Sequence, residues 1–532
     1  MTKSRKKVII LLSIIIVALL CLEIYFFKYT IDDSYISAKY AENLVQGKGL
    51  VFNTGERVEG YSDFMWVIYL AFMNGIGFNT LLVAKITGMI FSVLNLILIY
   101  LLTKQITKTD SAINILPVFL TASFFGYFIR AIEGLEMQLY LFFLLIAIIL
   151  FIREIEQDKG YLSSVFFLLA ALTRIEGVFF FAISLLFLIY HKANFSDKRN
   201  TSIRNKWKIL FKKISKHNII WFLITIIGVL SQFIWRLIYY GKLLPNSLTA
   251  KSCTIQYLYV SLLRGSYYTI TFLLAINIIA VILAVLFAYK FIRKERIHIL
   301  HYISILCITY IILISIQGGD WMIGFRYFTP IIPLLYIFSA PAAIYVYTIL
   351  FKDTRSIIKN IIFWIIILLV LTLSALTVFN NAHILNETIA SNNIYKDYSV
   401  KLKEYLQPGE YFLFYDIGAM SYYSGFNIID SVGLVNPHIA SRPGCLVNSK
   451  DEIIGSKFYY LSKFDSNYVL DRKPKIILIT SNKNSTIINE SSTSVISQQM
   501  LISNPRFYNE YSIKSVDNFG KMYMLVFVRN KN

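Results

Sequence analysis

The chain has 532 residues, 56% of them hydrophobic and only 16% charged, with a mean hydropathy of +0.59. Those values exclude an ordinary soluble domain and indicate a polytopic α-helical membrane protein. The net charge of +21 does not point to nucleic acid, because its densest run, nine Lys or Arg against one Asp between Lys192 and Lys216, sits between apolar segments and reads as a topology signal.

The first apolar segment, residues 8–27, is interrupted only by Glu23 and is long enough to cross a bilayer. It is too long for a cleaved signal peptide and has no small-residue cleavage site. Lys3, Arg5, Lys6 and Lys7 precede it and hold the amino terminus in the cytoplasm, so Asp32-Asp33-Ser34-Tyr35-Ile36 emerges on the far face. Two adjacent carboxylates at a membrane–water boundary are costly without a task. They can ionise unequally, one serving as a base while its neighbour holds a cation or a substrate hydroxyl. Alternatively Asp33 caps a helix starting near Ser34 while Asp32 does chemistry, or the reverse. The loop, residues 28–63, ends in Glu59-Gly60-Tyr61-Ser62-Asp63, and Gly47, Gly49 and Gly55 let it fold back over a site.

The short apolar piece at 64–76 is expected to be a re-entrant or interfacial helix, because a crossing there would put the basic 192–216 run outside. Ten further spans are expected near 80–102, 112–129, 134–152, 161–173, 178–190, 218–240, 267–290, 299–316, 329–350 and 360–380, giving eleven in all. The pair at 161–173 and 178–190 can also be read as one long broken helix. With eleven spans, the polar loops 130–136, 174–177, 241–265 and 317–328 share the outer face with the first loop.

Those loops carry the remaining candidates. Glu133 and Glu136 follow Arg130, and Arg174 with Glu176 occupies the next hairpin; a purely structural ion pair is the plain alternative for each. Tyr239-Tyr240-Gly241-Lys242, Pro245-Asn246 and Lys251 form either a phosphate or sugar contact or an anchored loop. Gly318-Gly319-Asp320-Trp321 precedes Arg326-Tyr327, where an arginine suits bidentate phosphate binding and the aromatics suit an interfacial belt. No metal-ligand spacing of His or Cys, phosphate loop or nucleophile elbow is visible. No cofactor is assigned, and a divalent cation held by carboxylates stays open. Cys21 and Cys307 fall in apolar segments, leaving one optional bridge, Cys253 to Cys445.

From 381 to 532 the apolar runs stop and strand-like stretches begin, at Tyr411–Tyr415, Lys475–Ile479 and Met522–Val528, with a helix start at Gly418. A small extracytoplasmic α/β domain is expected there, following a membrane module over 1–380.

These motifs, in this order, resemble GT-C glycosyltransferases. Asp32-Asp33-Ser34-Tyr35-Ile36 through Glu59-Gly60-Tyr61 looks like their first external loop. Gly134-Leu135-Glu136, Leu172-Thr173-Arg174-Ile175-Glu176-Gly177, Tyr240–Asn246 and Gly318-Gly319-Asp320-Trp321-Met322 look like later motifs of the terminal β-arabinofuranosyltransferase-like family. Asp416-Ile417-Gly418-Ala419, Asp430–Leu434 and Pro437–Ala440 resemble its extracytoplasmic domain. Ile175 where relatives often have proline, and Ser62-Asp63 where threonine and asparagine are usual, depart from the pattern. The resemblance implies a polyprenyl-phosphate sugar donor, a glycan or glycolipid acceptor and transfer at the outer face of a bacterial cytoplasmic membrane, with a pentofuranose as one candidate sugar. It also implies that Asp32 or Asp33 assists the acceptor hydroxyl. The placement of the loops adds the expectation that the donor phosphate lies near Arg326, with Lys251, Lys242 or Arg174 as helpers, that Glu59 and Glu136 shape the sugar pocket, and that Tyr61, Glu176 and Asp320 complete the substrate-binding residues. A flippase of polyprenyl-linked sugars or a non-catalytic scaffold are the rival readings.

Overall fold

The computed structural model describes residues 3–194, 215–292, 297–350, 356–445 and 462–530. Among the described residues six helices are long and apolar enough to cross a membrane: Arg5–Tyr25, Thr80–Thr107, Met137–Gln157, Lys216–Tyr240, His298–Gln317 and Leu368–Glu404. Two bent pairs, Ala112–Ala122 with Phe125–Ile132 (66°) and Ile255–Ala275 with Ile278–Phe291 (69°), bring the number to eight if each is one span. Leu162–Thr173 and Ile332–Thr348 are shorter apolar helices, and Glu176–Asn194 follows the break at Arg174 as a separate helix. Phe64–Gly75 has only 12 residues, about 18 Å of helix, too little to span. Except for its two ends, the basic 192–216 run lies outside the described residues. Lys192, at its start, pairs with Asp158.

Neither 112–129 nor 267–290 is the straight span expected from hydropathy. In the second, Asn277 adopts a left-handed conformation (φ +55°), and its side chain accepts the Ala280 N–H at 3.3 Å to start a new helix. In the first, the chain breaks at Ser123-Phe124, and the Ser374 hydroxyl donates to the Ser123 carbonyl at 2.6 Å. Hydropathy registers neither, because both are single polar residues inside apolar runs.

The last long helix, Ser356–Lys401, passes residue 380 without a break and leads into a five-stranded sheet of order β2-β1-β3-β5-β4. Strands β1 (Tyr411–Phe414), β2 (Asn427–Asp430) and β3 (Ile476–Ser481) are parallel. β4 (Tyr511–Phe519) and β5 (Met522–Arg529) form an antiparallel hairpin turning through Gly520 at φ +68°. The three expected strand regions are β1, β3 and β5. β2 and β4 were not expected: β2 is four residues long, and β4 carries polar residues at most positions.

Alternation along the strands gives the sheet two apolar faces. Leu413, Ile429, Ile477, Leu525 and Phe527 pack against Phe464, Leu470, Leu501 and Phe507. Phe412, Phe414, Ile428, Leu478, Met524 and Val526 belong instead to one core with Tyr35, Tyr40, Phe52 and Tyr61 of the first loop. Loop and sheet therefore fold as a unit.

Polar contacts fix their register. The helix Asp32–Val45 begins at Asp32, and neither carboxylate caps it. Asp32 accepts the backbone N–H groups of Gly418 and Ala419, each at 2.8 Å. Buried Lys39 donates to the Phe426 carbonyl at 2.9 Å and to Ser421, and the Asn53 side chain pairs with both the N–H and the C=O of Ile428, at 3.0 and 2.9 Å. Only glycine fits at 418, where a Cβ would lie 2.1 Å from the Asp32 carbonyl oxygen. Burial and the neighbouring Asp416 raise the Asp32 pKa, against the pull of the two backbone donors.

Replacing Asp32 with alanine orphans two buried donors, at a cost of about 1–3 kcal/mol. The expected outcome is faster hydrogen exchange over 418–430; unchanged exchange there would exclude this seating role.

Candidate functional site

One residue beyond Asp32, the helix has turned by about 100°, so Asp33 faces away from the sheet. With Ile36 and Ser37, on the same helix face, it lines a cavity of about 100 Å³ walled by the ends of the first loop and by the loops around 136, 175, 248 and 326. Seven of the expected site residues converge there: Asp33, Tyr61, Glu136, Arg174, Glu176, Lys251 and Arg326.

Asp33 Oδ2 lies 3.2 Å from Lys251 Nζ and 3.9 Å from Arg326 Nη1. Burial alone would raise the Asp33 pKa, but Lys251 and then Arg326 outweigh it and hold the carboxyl below its usual range. Arg326 donates through Nε to Asp320 at 2.7 Å, which fixes its plane and points Nη1 towards the cavity. Arg174 bridges Glu136 and Glu176, the latter at 2.8 Å, so the pair expected within one hairpin forms and also ties two hairpins together. Tyr327, expected in an interfacial belt, is buried with the guanidinium groups of Arg174 and Arg326 at 5.4 and 5.2 Å from its ring centre. Trp321 is half exposed, as a belt residue would be.

Three expected residues do not line the cavity. Asp32 seats the sheet domain, and Asp320 stands behind Arg326. Glu59 is buried in a pair with Arg236 at 2.6 Å, a partner that hydropathy hides within the helix Lys216–Tyr240. Lys242, also a candidate helper, donates to Asn246 at 3.0 Å. The cavity gains Asp63, which accepts from the Ser37 hydroxyl at 2.8 Å. Burial and the nearby Glu136 push its pKa up to about 7. Its signal was legible in Glu59-Gly60-Tyr61-Ser62-Asp63, but nothing local separated it from Glu59.

No group of three or more His, Cys, Asp or Glu poised for a metal occurs among the described residues. The cavity's carboxylates find their counter-charges in Lys251, Arg174 and Arg326.

The short helix Asn246–Lys251 reaches the site because the sheet domain holds it. Asn246 donates to the carbonyls of Gly433 and Leu434 at 2.8 and 3.0 Å, and the Thr254 N–H meets the Gly444 carbonyl at 2.9 Å. Buried Lys463 donates to the carbonyls of Thr249, Ser252 and Ala440 at 2.6, 2.8 and 3.1 Å. Cys253 and Cys445 form the disulfide that the sequence left optional.

A wall of the cavity is shared with a second, mostly apolar cavity of about 970 Å³. The segment Gly318–Tyr327 separates them, giving Asp320, Trp321 and Phe325 to the apolar side and Arg326 and Tyr327 to the polar one.

Lys463→Met should loosen the 246–254 segment, raising its hydrogen exchange about tenfold or more, as losing roughly 1.4 kcal/mol or more of local stability would. Reducing the disulfide should act on the same segment. Protection unchanged in both cases would show that Lys251 is placed by other contacts.

Residues 388–523 match a family model described as a domain of unknown function (DUF8728). No curated protein matches the chain. Among solved structures it is similar to the Archaeoglobus fulgidus oligosaccharyltransferase complexed with Zn and sulfate, at 12% identity and a TM-score of 0.43, over 85% of this chain and 64% of that one. The chain thus spans less than two thirds of that protein's length. It is also similar to ArnT from Cupriavidus metallidurans, bound to undecaprenyl phosphate (9% identity, TM-score 0.49) and in the apo state (10%, 0.48), covering 96% of this chain and 97% of that one in both cases.

Proposed function

We propose that the protein transfers a sugar from a polyprenyl-phosphate donor to a cell-envelope glycan or glycolipid at the outer face of the cytoplasmic membrane. The observation that carries this reading is the shared wall. An apolar cavity large enough for an isoprenoid chain abuts a small polar cavity in which two cations, Lys251 and Arg326, reach the carboxylate of Asp33. A lipid whose tail fills the first cavity would present its phosphate near Arg326.

In the proposed reaction the acceptor oxygen bonds to the anomeric carbon as the carbon–oxygen bond to phosphate breaks. The acceptor proton passes to Asp33, and the polyprenyl phosphate departs with the bonding electrons. Lys251 and Arg326 face the charge that grows on the leaving oxygen, where fixed cations act most strongly. Glu136 and Glu176 hold Arg174 beside Tyr327 and shape the sugar side of the cavity. Arg326 stays protonated throughout, so its role is electrostatic. The disulfide supports an oxidising, extracytoplasmic location for the carboxyl-terminal domain. The ordered motif resemblance supports the GT-C class, and the sugar, with pentofuranose as one candidate, is to be read from the product.

Asp33→Asn should lower turnover about 10²-fold or more while the protein folds and still binds donor, measured as sugar transfer by protein reconstituted in vesicles. Cells lacking the protein should lose a terminal envelope sugar and accumulate its polyprenyl-phosphate donor; unchanged glycans and lipid-linked sugars would refute the transferase.

The pH profile identifies the base. Asp33, held below the usual carboxylate range, protonates only in strong acid, so turnover should stay flat through neutral and mildly acidic pH and fall only below the ordinary aspartate range of about 4. Half-loss near pH 7 would assign the base to Asp63 instead.

A further inference from the structure

The helix Asp32–Val45 also faces a different cavity. While Asp33, Ile36 and Ser37 line the polar pocket, Thr30 and Tyr35 line a separate cavity of about 530 Å³ on another side of the same chain segment. It lies where the first long helix has just ended, where the helix Thr80–Thr107 begins, and where the helix Ser356–Lys401 meets the sheet domain. Three lysines, Lys28, Lys85 and Lys396, line it, and no carboxylate does so among the described residues.

Lys85 is the decisive member. It is 7% exposed, yet among the described residues its ammonium group donates only to the Thr30 hydroxyl, at 2.9 Å, and otherwise sits 4.7 Å from the centre of the Phe27 ring. A buried ammonium facing a hydroxyl and an aromatic ring remains short of its counter-charge, and an unpaired buried charge is costly. Lys396, on the far wall, is exposed and lies over the Tyr423 ring at 5.6 Å. None of the three has a carboxylate partner among the described residues. Leu81, Leu82 and Ile389 give the cavity an apolar side next to the cations. Cations beside apolar side chains at the ends of spanning helices match a molecule with an anionic head and a hydrocarbon body.

We propose that this cavity binds the phosphate of a lipid headgroup, with Lys85 as its buried anchor and Lys28 and Lys396 at its rim. The lipid is either an anionic component of the bilayer or a polyprenyl phosphate, which share that group. The site is distinct from the Asp33 cavity and does not depend on the proposed transfer, since its test reads binding alone.

The test uses the full chain in phosphatidylcholine nanodiscs. Native mass spectrometry follows binding as phosphatidylglycerol or undecaprenyl phosphate is added. The variants are Lys85→Met with Lys396→Met, Lys396→Glu alone, and, as the control, Arg506→Gln, a half-exposed arginine of the sheet domain that lines none of the three cavities. The expected result is loss of at least about tenfold in affinity for one or both lipids in the double variant. Lys396→Glu should weaken binding in the same direction while Arg506→Gln leaves binding of both lipids in place. Because Lys396 is exposed on its helix, that single variant reads the site even if the double variant does not fold. Loss confined to phosphatidylglycerol assigns the site to bilayer lipid; loss confined to undecaprenyl phosphate assigns it to a lipid-linked substrate or product. Wild type that binds neither lipid, or lysine variants that bind both as wild type does, would overturn the proposal.

Discussion

Everything around the candidate site depends on how one residue's step along a helix separates two adjacent carboxylates. Asp32 accepts two backbone N–H groups from the sheet domain, and this fixes the rotation of the helix that both residues begin. Asp33, about 100° further round, is thereby aimed into the polar cavity and towards Lys251. The first residue seats the fold and the second faces the cavity. Lys39 and Asn53 lock the same rotation further along the loop, so Asp33 is not free to swing.

The cavity balances its charges closely. Asp320 steers Arg326, two glutamates hold Arg174, and Asp33 is shared loosely between Lys251 and Arg326. The pairs buried behind the cavity are short, whereas the contacts across it are longer. A phosphate entering between Asp33 and the cations would therefore meet groups not yet fully committed to each other. Such an arrangement suits binding an anion and releasing it, and it explains why burial alone does not set the ionisation of Asp33.

The sequence revealed much of this through signals that are local in the chain. Apolar runs located the helices, alternation located β1, β3 and β5, and clustered polar motifs located seven cavity residues. Helix bends at Ser123 and Asn277 were not legible, because a break depends on one polar side chain finding a partner, Ser374 in the first case. Glu59 and Asp63 stand four residues apart in one loop, and only the fold sends one to Arg236 and the other to the cavity. The roles of Asp32 and Asp33 stayed interchangeable for the same reason: Asp32's partners lie 386 and 387 positions away. Lys463 carried no signal at all, since it bonds only backbone carbonyls and those belong to distant segments.

That clasp has a consequence for the order of events during biosynthesis. Asp33 is made almost at once and Lys251 near the middle of the chain, yet what holds them in place is Gly418, Gly433, Gly444, Cys445 and Lys463. Every membrane helix can be inserted while the cavity still has no fixed geometry. The protein is therefore assembled like a lock whose keyway forms only when its final part is fitted, and a chain arrested before its last hundred residues would sit in the membrane without a working cavity.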